Sequence, residues 1–241
     1  MIHEALVEYY SKPQPAYKGS GKISCSSFGR CIRSVMLGLA GYETPDGFNA
    51  HIREVMSLGV VYEDATARVL AEKYGKSLQM QVPLRNDIWS GKLDFLITED
   101  KSIPVIVEHK ATGDKFFDFG LELPKWEHVC QSWLYAKLYK ELYHVAPKIL
   151  LFYRGWSSWA ELELIEGDPA GYAEGMVNGQ KVRRPVALET LPKRRAEFEA
   201  AYKALPSVPE IPCSSPCSAF GCTFRDSPSC RYYEMCWGTK Q

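Results

Sequence analysis

The chain has 241 residues, of which 46% are apolar and 12% aromatic. That composition excludes a disordered chain and suits one domain of ordinary size, alone or with a small appendage. Lysine plus arginine and aspartate plus glutamate each total 29, which excludes a histone-like basic protein and an acidic tail. Any binding of nucleic acid must therefore come from a local patch of charge.

The sequence offers no membrane or export signal. No run approaches the ~18 apolar residues that a membrane-spanning helix needs, and the first residues carry Glu4 and Glu8 without an apolar signal core. We therefore expect no membrane partner and a cytoplasmic, intracellular location. In such a compartment, the eight cysteines favour metal binding or catalysis over structural disulfides.

Hydrophobic periodicity predicts a mixed α/β fold with a central sheet flanked by helices. A turn is predicted at Ser90-Gly91. Within the longest helix, the predicted apolar stripe comprises Val55, Leu58, Tyr62, Ala65, Val69 and Leu70. The predicted elements, in chain order, are a helix over 26–41, a helix over 50–75, strands over 78–84, 92–98 and 103–111, a helix over 125–144, strands over 148–155 and 159–165, and helices over 168–204 broken at Pro185 and Pro192.

Charged residues interrupt two of the apolar strands. Asp94 lies in one of them, and Glu108 and Lys110 lie in the next on a shared face, with His109 opposite. A hairpin would bring Asp94 beside the other two, where charges are costly unless they are paired or bound to metal. Two carboxylates and the backbone carbonyl of His109 form an oxygen site that suits Mg²⁺ or Mn²⁺. The alternative is a surface salt bridge at a sheet edge.

These residues form a recognisable set with the helix that follows. Asp94, the Glu108-x-Lys110 pair, and Gln131 with Tyr135 four residues later resemble the PD-(D/E)XK nuclease superfamily, and more narrowly its RecB-like branch. The resemblance implies a restriction-endonuclease-like core and metal-dependent DNA hydrolysis. Lys110 would act on the attacking water, and Gln131 and Tyr135 would position that lysine or the DNA backbone.

The first motif of that family is a helical glycine followed four residues later by His or Glu. Here it corresponds to Gly59 and Glu63, which makes Glu63 a third carboxylate for one or two divalent ions. Asp64 is a competing candidate, and only the spacing from Gly59 favours Glu63.

The cysteines extend the resemblance to the subset of RecB-like nucleases that carry a [4Fe–4S] cluster, which includes CRISPR-associated exonucleases and AddB-type nuclease domains. Cys31, followed by x-Arg, resembles the first ligand, and Cys230-x-Tyr-x-x-x-Cys236 resembles the last pair. Cys222 is the expected third C-terminal ligand, with Cys213 or Cys217 as substitutes; a Zn²⁺ site using those three is an alternative. Residues 1–205 would then be the nuclease domain and 206–241 a Cys-rich tail tied to the N-terminal helix.

The two remaining cysteines and the DNA contacts follow from their surroundings. Cys25 and Cys130 are expected to be buried thiols. Arg30 and Arg33 belong to a basic stretch near the start that could track phosphates, and Phe116 and Phe117 are expected to line the DNA path. A second basic group is the alternative track: Lys181, Arg183, Arg184, Lys193, Arg194 and Arg195.

Together these features predict a metal-dependent DNA exonuclease that acts on single-stranded ends. One alternative is a structure-specific endonuclease on the same fold. Another is a non-catalytic DNA-binding or assembly module with a metal-stapled tail.

Overall fold

The computed structural model describes residues 2–12, 20–42, 50–99, 102–114, 117, 123–167 and 171–205. The tail over 206–241, with its five cysteines, and Phe116 lie outside the described residues. In the described part, no helix has both the length and the apolar character needed to cross a membrane. The elements are α1 (Ile2–Ser11), β1 (Ile23–Ser24), α2 (Ile32–Leu39), α3 (Ala50–Tyr74), β2 (Leu78–Arg85), β3 (Trp89–Ile97), β4 (Val105–Ala111), α4 (Trp126–Tyr143), β5 (Lys148–Arg154), β6 (Trp159–Ile165), β7 (Tyr172–Val177), β8 (Gln180–Pro185) and α5 (Leu191–Lys203).

The eight strands form one mixed sheet. Its order is β1–β3–β4–β5–β6–β7–β8, and β2 also pairs with β3. The pairs β1–β3 and β4–β5 are parallel, and the other neighbours are antiparallel. The predicted mixed α/β fold with a helix-flanked central sheet is therefore confirmed.

Alternation along the strands divides the core between the two faces of the sheet. On one face, Phe95 and Val107 pack with Leu70 of α3. On the other face, Leu96 and Ile106 join the larger core, which includes residues of α2, α4 and α5. Helices thus cover both faces at the centre of the sheet, where the charged strand residues lie.

The prediction of helices throughout 168–204 is wrong for its first half. Residues 172–185 form the β7–β8 hairpin. Helix α5 follows a short 3₁₀ helix over Leu188–Thr190 and has Pro192 in its first turn. Asn178 and Gly179 connect the strands with φ of 46° and 80°. An Asn-Gly pair adopts these left-handed conformations at little cost, which favours a two-residue hairpin turn.

The predicted turn at Ser90-Gly91 is also wrong, because both residues lie inside β3. The turn comes earlier, where the Asn86 side chain accepts hydrogen bonds from the N–H groups of Ile88 and Trp89. Gly91 has a packing role instead. A Cβ there would lie 2.5 Å from Cε1 of Tyr135, so only glycine lets α4 come this close to β3.

Two helices differ from their predictions. Residues 25–27 form a short 3₁₀ helix, and α2 begins only at Ile32. In α3, Val55, Leu58 and Val69 of the predicted stripe are more than half exposed. Leu70 of the same stripe packs against the core, together with Ala67, which the stripe did not include. The predicted stripe is therefore wrong for the three exposed residues, because apolar residues lie on more than one side of this helix.

Candidate active site

The sheet opens along the first half of β3. On the side where β4 pairs with residues 95–97 of β3, β1 pairs only with Trp89 and Ser90. Among the described residues, 91–94 have no strand partner on that side. On the other side, pairing with β2 skips the position where Gln81 faces Asp94. Asp94 therefore lies where the ladders on both sides of β3 are interrupted.

The Asp94 side chain takes the place of a missing ladder bond. Its Oδ2 accepts a hydrogen bond of 2.9 Å from the backbone N–H of His109 in β4. Burial raises the pKa of this carboxyl, although the Lys110 ammonium and the His109 N–H act in the opposite direction. The carboxylate is thus held at the fork between β3 and β4.

Glu108 is fully buried and has one partner. The Lys110 ammonium donates a hydrogen bond of 2.5 Å to its Oε1, while Oε2 is buried without a hydrogen bond to any described residue. Burial raises the pKa of Glu108 to about 8, against the attraction of Lys110. For Lys110, burial lowers the pKa, but Glu108 and Asp94 more than offset this, so its pKa is raised. The lysine therefore stays protonated at neutral pH.

His109 lies on the opposite face of β4, as alternation predicts. Its ring packs near Phe95 and Phe152, and its Nε2 is 3.2 Å from the Thr66 hydroxyl of α3. Burial lowers its pKa to about 4, so the ring is neutral. The His109 side chain is thus part of the α3 interface, and only its backbone belongs to the carboxylate site.

The structure places Glu63 on the same site from α3. Burial and the nearby Asp94 carboxylate raise the pKa of Glu63, and Lys110 acts against them. Asp64 is exposed, whereas Glu63 is half-buried. Of the two candidates on this helix, Glu63 is the one that approaches the strand carboxylates.

Gln81 is a site residue that the sequence analysis missed. Its Nε2 donates a hydrogen bond of 2.5 Å to Oε1 of Glu63, and its backbone has a φ of 53°. A non-glycine residue in this left-handed region costs roughly 1–3 kcal/mol, and such strain is concentrated at functional sites. No sequence signal marks it, because the contact depends on how α3 crosses β2.

Gln131 and Tyr135 occupy one buried face of α4, one turn apart. Gln131 Nε2 donates to the Tyr135 hydroxyl at 3.1 Å, and that hydroxyl donates to the carbonyl of Lys92 at 3.0 Å. Both side chains are less than a tenth exposed. The pair thus ties α4 to the unpaired edge of β3, two residues from Asp94.

The side chains of the site have the oxygen donors that a hard divalent cation needs. Among the described residues, no three His, Cys, Asp or Glu side chains form a group arranged to hold a metal ion. The chemistry of the donors nevertheless fits Mg²⁺ or Mn²⁺, because all three carboxylates supply oxygen. The buried Oε2 of Glu108 has no donor among the residues that the structure describes, and a cation would satisfy it.

The predicted DNA contacts have mixed outcomes. Arg30 is exposed and lines a cleft beside β3, whereas Arg33 does not line this cleft. The prediction for Phe117 is wrong, because this side chain is 3% exposed and belongs to the core. The second basic group is largely engaged within the fold: Arg194 is buried between the rings of Phe28 and Phe198, Arg195 pairs with Glu141, and Arg183 pairs with Glu174.

Three cysteines lie among the described residues. Cys25 and Cys130 are fully buried, as predicted, and burial raises the pKa of each thiol to about 12. Cys31 is partly exposed and immediately precedes α2. The other predicted cluster ligands, Cys222, Cys230 and Cys236, and the substitutes Cys213 and Cys217 are outside the described residues.

Comparison with known proteins gives a distant likeness in structure. No protein-family model matches the chain, and no curated protein matches it. The crystal structure of SSO0001 is similar to 85% of this chain, over 88% of its own length, with 17% sequence identity and a TM-score of 0.47.

Proposed function

We propose that this protein is a divalent-metal-dependent deoxyribonuclease of the PD-(D/E)XK, RecB-like type, acting on single-stranded DNA ends. The observation that carries the proposal is the convergence of three carboxylates and one lysine at the open edge of β3. Glu108 is fully buried, and one of its oxygens lacks a donor among the described residues, which is hard to explain for a structural residue. A buried carboxylate with an unsatisfied oxygen is costly even beside one lysine, so a purely structural site would favour an apolar side chain there.

The three carboxylates have complementary roles in this proposal. Asp94, Glu108 and Glu63 would hold Mg²⁺ or Mn²⁺, with the His109 carbonyl as a further oxygen. The bound ion would lower the pKa of water and polarise the phosphate. Gln81 keeps Glu63 oriented toward the strands through its 2.5 Å hydrogen bond.

Lys110 acts as a cation in this arrangement rather than as a base. Its raised pKa keeps the ammonium protonated, and its hydrogen bond to Glu108 fixes its position. A positioned ammonium orients water and stabilises negative charge that develops on a phosphate. Gln131 and Tyr135 support this geometry indirectly, by fixing the β3 backbone next to Asp94.

We further propose a [4Fe–4S] cluster, with Zn²⁺ as the alternative metal. Cys31 would supply one thiolate, and Cys222, Cys230 and Cys236 the others. The partly exposed position of Cys31 before α2 suits a ligand shared with the tail better than the fully buried positions of Cys25 and Cys130.

The function is tested with end-labelled linear DNA, closed single-stranded circles and duplex DNA. We expect EDTA to abolish hydrolysis and Mn²⁺ or Mg²⁺ to restore it, with linear single strands degraded fastest. Lys110→Ala should reduce the rate by ~10²–10⁴-fold, the range for a positioned proton-transfer or charged group. The exposed Lys76→Ala is the matched control and should keep full activity.

Two outcomes would contradict parts of this proposal. Equal cutting of closed circles and linear strands would show an endonuclease instead of an exonuclease. Full activity in Lys110→Ala would show that this cluster is not the catalytic site.

A further inference from the structure

A basic cleft of about 660 Å³ lies beside the carboxylate site. One wall is the segment from Ser20 through α2, and the other is the first half of β3, with Tyr135 among the lining residues. Four cationic side chains line it: Lys22, Arg30, Arg85 and Lys92. Five serines also line the cleft, and none of the described aspartates or glutamates does. The described lining therefore offers positive charge and hydroxyl donors without a competing carboxylate.

The cations of this cleft are available to an anion. Arg30, Arg85 and Lys92 are exposed, and none forms an ion pair with another described residue. Lys22 is held in place by a hydrogen bond of 2.5 Å from its ammonium to the carbonyl of Asn86. In a protein with zero net charge, this uncompensated group creates a local positive field that the whole chain lacks.

Other basic residues contrast with this group. Arg183 is 3.7 Å from a carboxylate oxygen of Glu174, and Arg195 makes two hydrogen bonds to Glu141. The charges around β8 and α5 are thus partly neutralised within the protein. Positive charge without a carboxylate partner is found at the cleft.

The cleft leads to the carboxylates along β3. Lys92 and Asp94 are two residues apart on one face of that strand, a separation of about 7 Å. Burial raises the pKa of both Asp94 and Glu63, and the positive charge of Lys92 is close enough to oppose that rise in each. Tyr135 lines the cleft and bonds the Lys92 carbonyl. An extended polyanion in the cleft would therefore have its next charged group near the carboxylates.

We infer that this cleft binds the phosphates of a single nucleic-acid strand and leads that strand to the carboxylate site. The inference rests on the proposed nuclease function and names the path of its substrate. The two arginines suit phosphate because their guanidinium groups donate two parallel hydrogen bonds. The volume lies within the ~300–1,000 Å³ typical of small-ligand pockets, so it holds a short piece of one strand.

Binding of a labelled oligothymidylate, measured by fluorescence anisotropy in EDTA over a range of KCl concentrations, tests the inference. The cleft variant is Arg30→Gln/Arg85→Gln, and both side chains are exposed, so we expect it to fold. The matched control is Lys181→Gln/Arg183→Gln, which removes the same charge from exposed positions of β8. Circular dichroism and thermal melting establish that both variants are folded.

The cleft variant should bind at least about tenfold more weakly, because two charge-assisted phosphate contacts are lost. Its plot of log affinity against log salt should be shallower by about 1.4, since each single-strand phosphate contact contributes about 0.7. The control should keep the wild-type affinity and slope. An uncharged peptide nucleic acid of the same base sequence should not bind the wild-type protein.

Unchanged affinity and slope in the folded cleft variant would overturn the inference, as would equal loss in the control. Displacement of the labelled oligonucleotide by inorganic phosphate at a concentration as low as that of the oligonucleotide would also overturn the inference, because it would indicate a site for a small anion. These measurements involve no cleavage. Cleft-dependent binding by a protein that never hydrolyses DNA would therefore refute the nuclease proposal alone. Hydrolysis that is insensitive to the cleft variant would refute the cleft alone.

Discussion

Replacing Glu108 with Gln should abolish activity and, at the same time, stabilise the metal-free protein. Glutamine has nearly the same shape but carries no charge, so it removes the cost of burying a carboxylate. The lost activity follows from the proposed metal-ligand role. The gain in stability follows from burial, because ionising this fully buried side chain costs more than the attraction of Lys110 returns, so its pKa is raised.

The size of the effect follows from the two pKa values of Glu108. The carboxyl has an ordinary pKa of 4.5 and a folded-state pKa of about 8. Because the folded value is higher, the folded protein retains the proton between these limits, and stability falls as pH rises through that range. Each pH unit costs about 1.4 kcal/mol. Between about pH 5 and about pH 8, the wild type should therefore lose about 3 kcal/mol relative to Glu108→Gln.

Urea denaturation in EDTA at both pH values measures this difference in the free energy of unfolding. Glu72→Gln, at an exposed position of α3, is the control and should change stability by less than about 0.5 kcal/mol at either pH. Saturating Mn²⁺ should stabilise the wild type by about 2.7 kcal/mol at a hundredfold excess over Kd and leave Glu108→Gln unchanged. A pH-independent difference between wild type and Glu108→Gln would refute the reasoning.

Three other substitutions test the orientation of Glu63, the support of β3 by α4, and the proposed cluster ligand Cys31, for which Cys25 is the control. Gln81→Gly should leave the free energy of unfolding within about 1 kcal/mol of wild type, because relief of the positive φ offsets the lost hydrogen bond. The steady-state rate of hydrolysis should fall about tenfold. Full activity in this variant would show that Gln81 has no role in the site. Tyr135→Phe should destabilise by about 1–2 kcal/mol in urea, since it leaves the partly buried backbone groups of Lys92 and the buried Gln131 amide without their partner; unchanged stability would contradict this. After anaerobic purification, Cys31→Ala should lose iron and visible absorbance, and Cys25→Ala should retain both. Colourless wild-type protein with stoichiometric zinc would show that the metal is zinc.

Much of the sheet could be predicted from local pattern. The strand predicted over 78–84 is β2 (Leu78–Arg85), and the helix predicted over 125–144 is α4 (Trp126–Tyr143). Leu78, Val82 and Leu84 keep the alternate spacing of a strand in the first segment, and the second segment contains no glycine or proline over its whole length. The β7–β8 hairpin was missed although Asn178-Gly179 is a good turn signal. Ala, Glu, Gln and Lys around that pair favour helices, and only pairing with β6 makes the segment a strand.

The candidate site likewise contains residues that the sequence pattern predicts and residues that it does not. Asp94, Glu108 and Lys110 could be found from the sequence because charges in apolar strands are conspicuous. Lys92 had an available signal, since it lies two residues before Asp94 and thus on the same face. The role of Gln81 depends on a left-handed backbone conformation in β2, which a glutamine does not indicate, because Gly, Asn and Asp are the residues that favour it.

The central claim is that the carboxylate cluster hydrolyses DNA with a divalent cation. Hydrolysis of end-labelled linear single-stranded DNA in Mn²⁺ by Asp94→Asn, compared with wild type, tests it most directly. The substitution keeps a side-chain oxygen that can accept the His109 N–H hydrogen bond, so the fork of the sheet should be preserved while the negative charge is lost. We predict folded protein with no measurable hydrolysis beside an active wild type. Wild-type rates in Asp94→Asn would contradict the account.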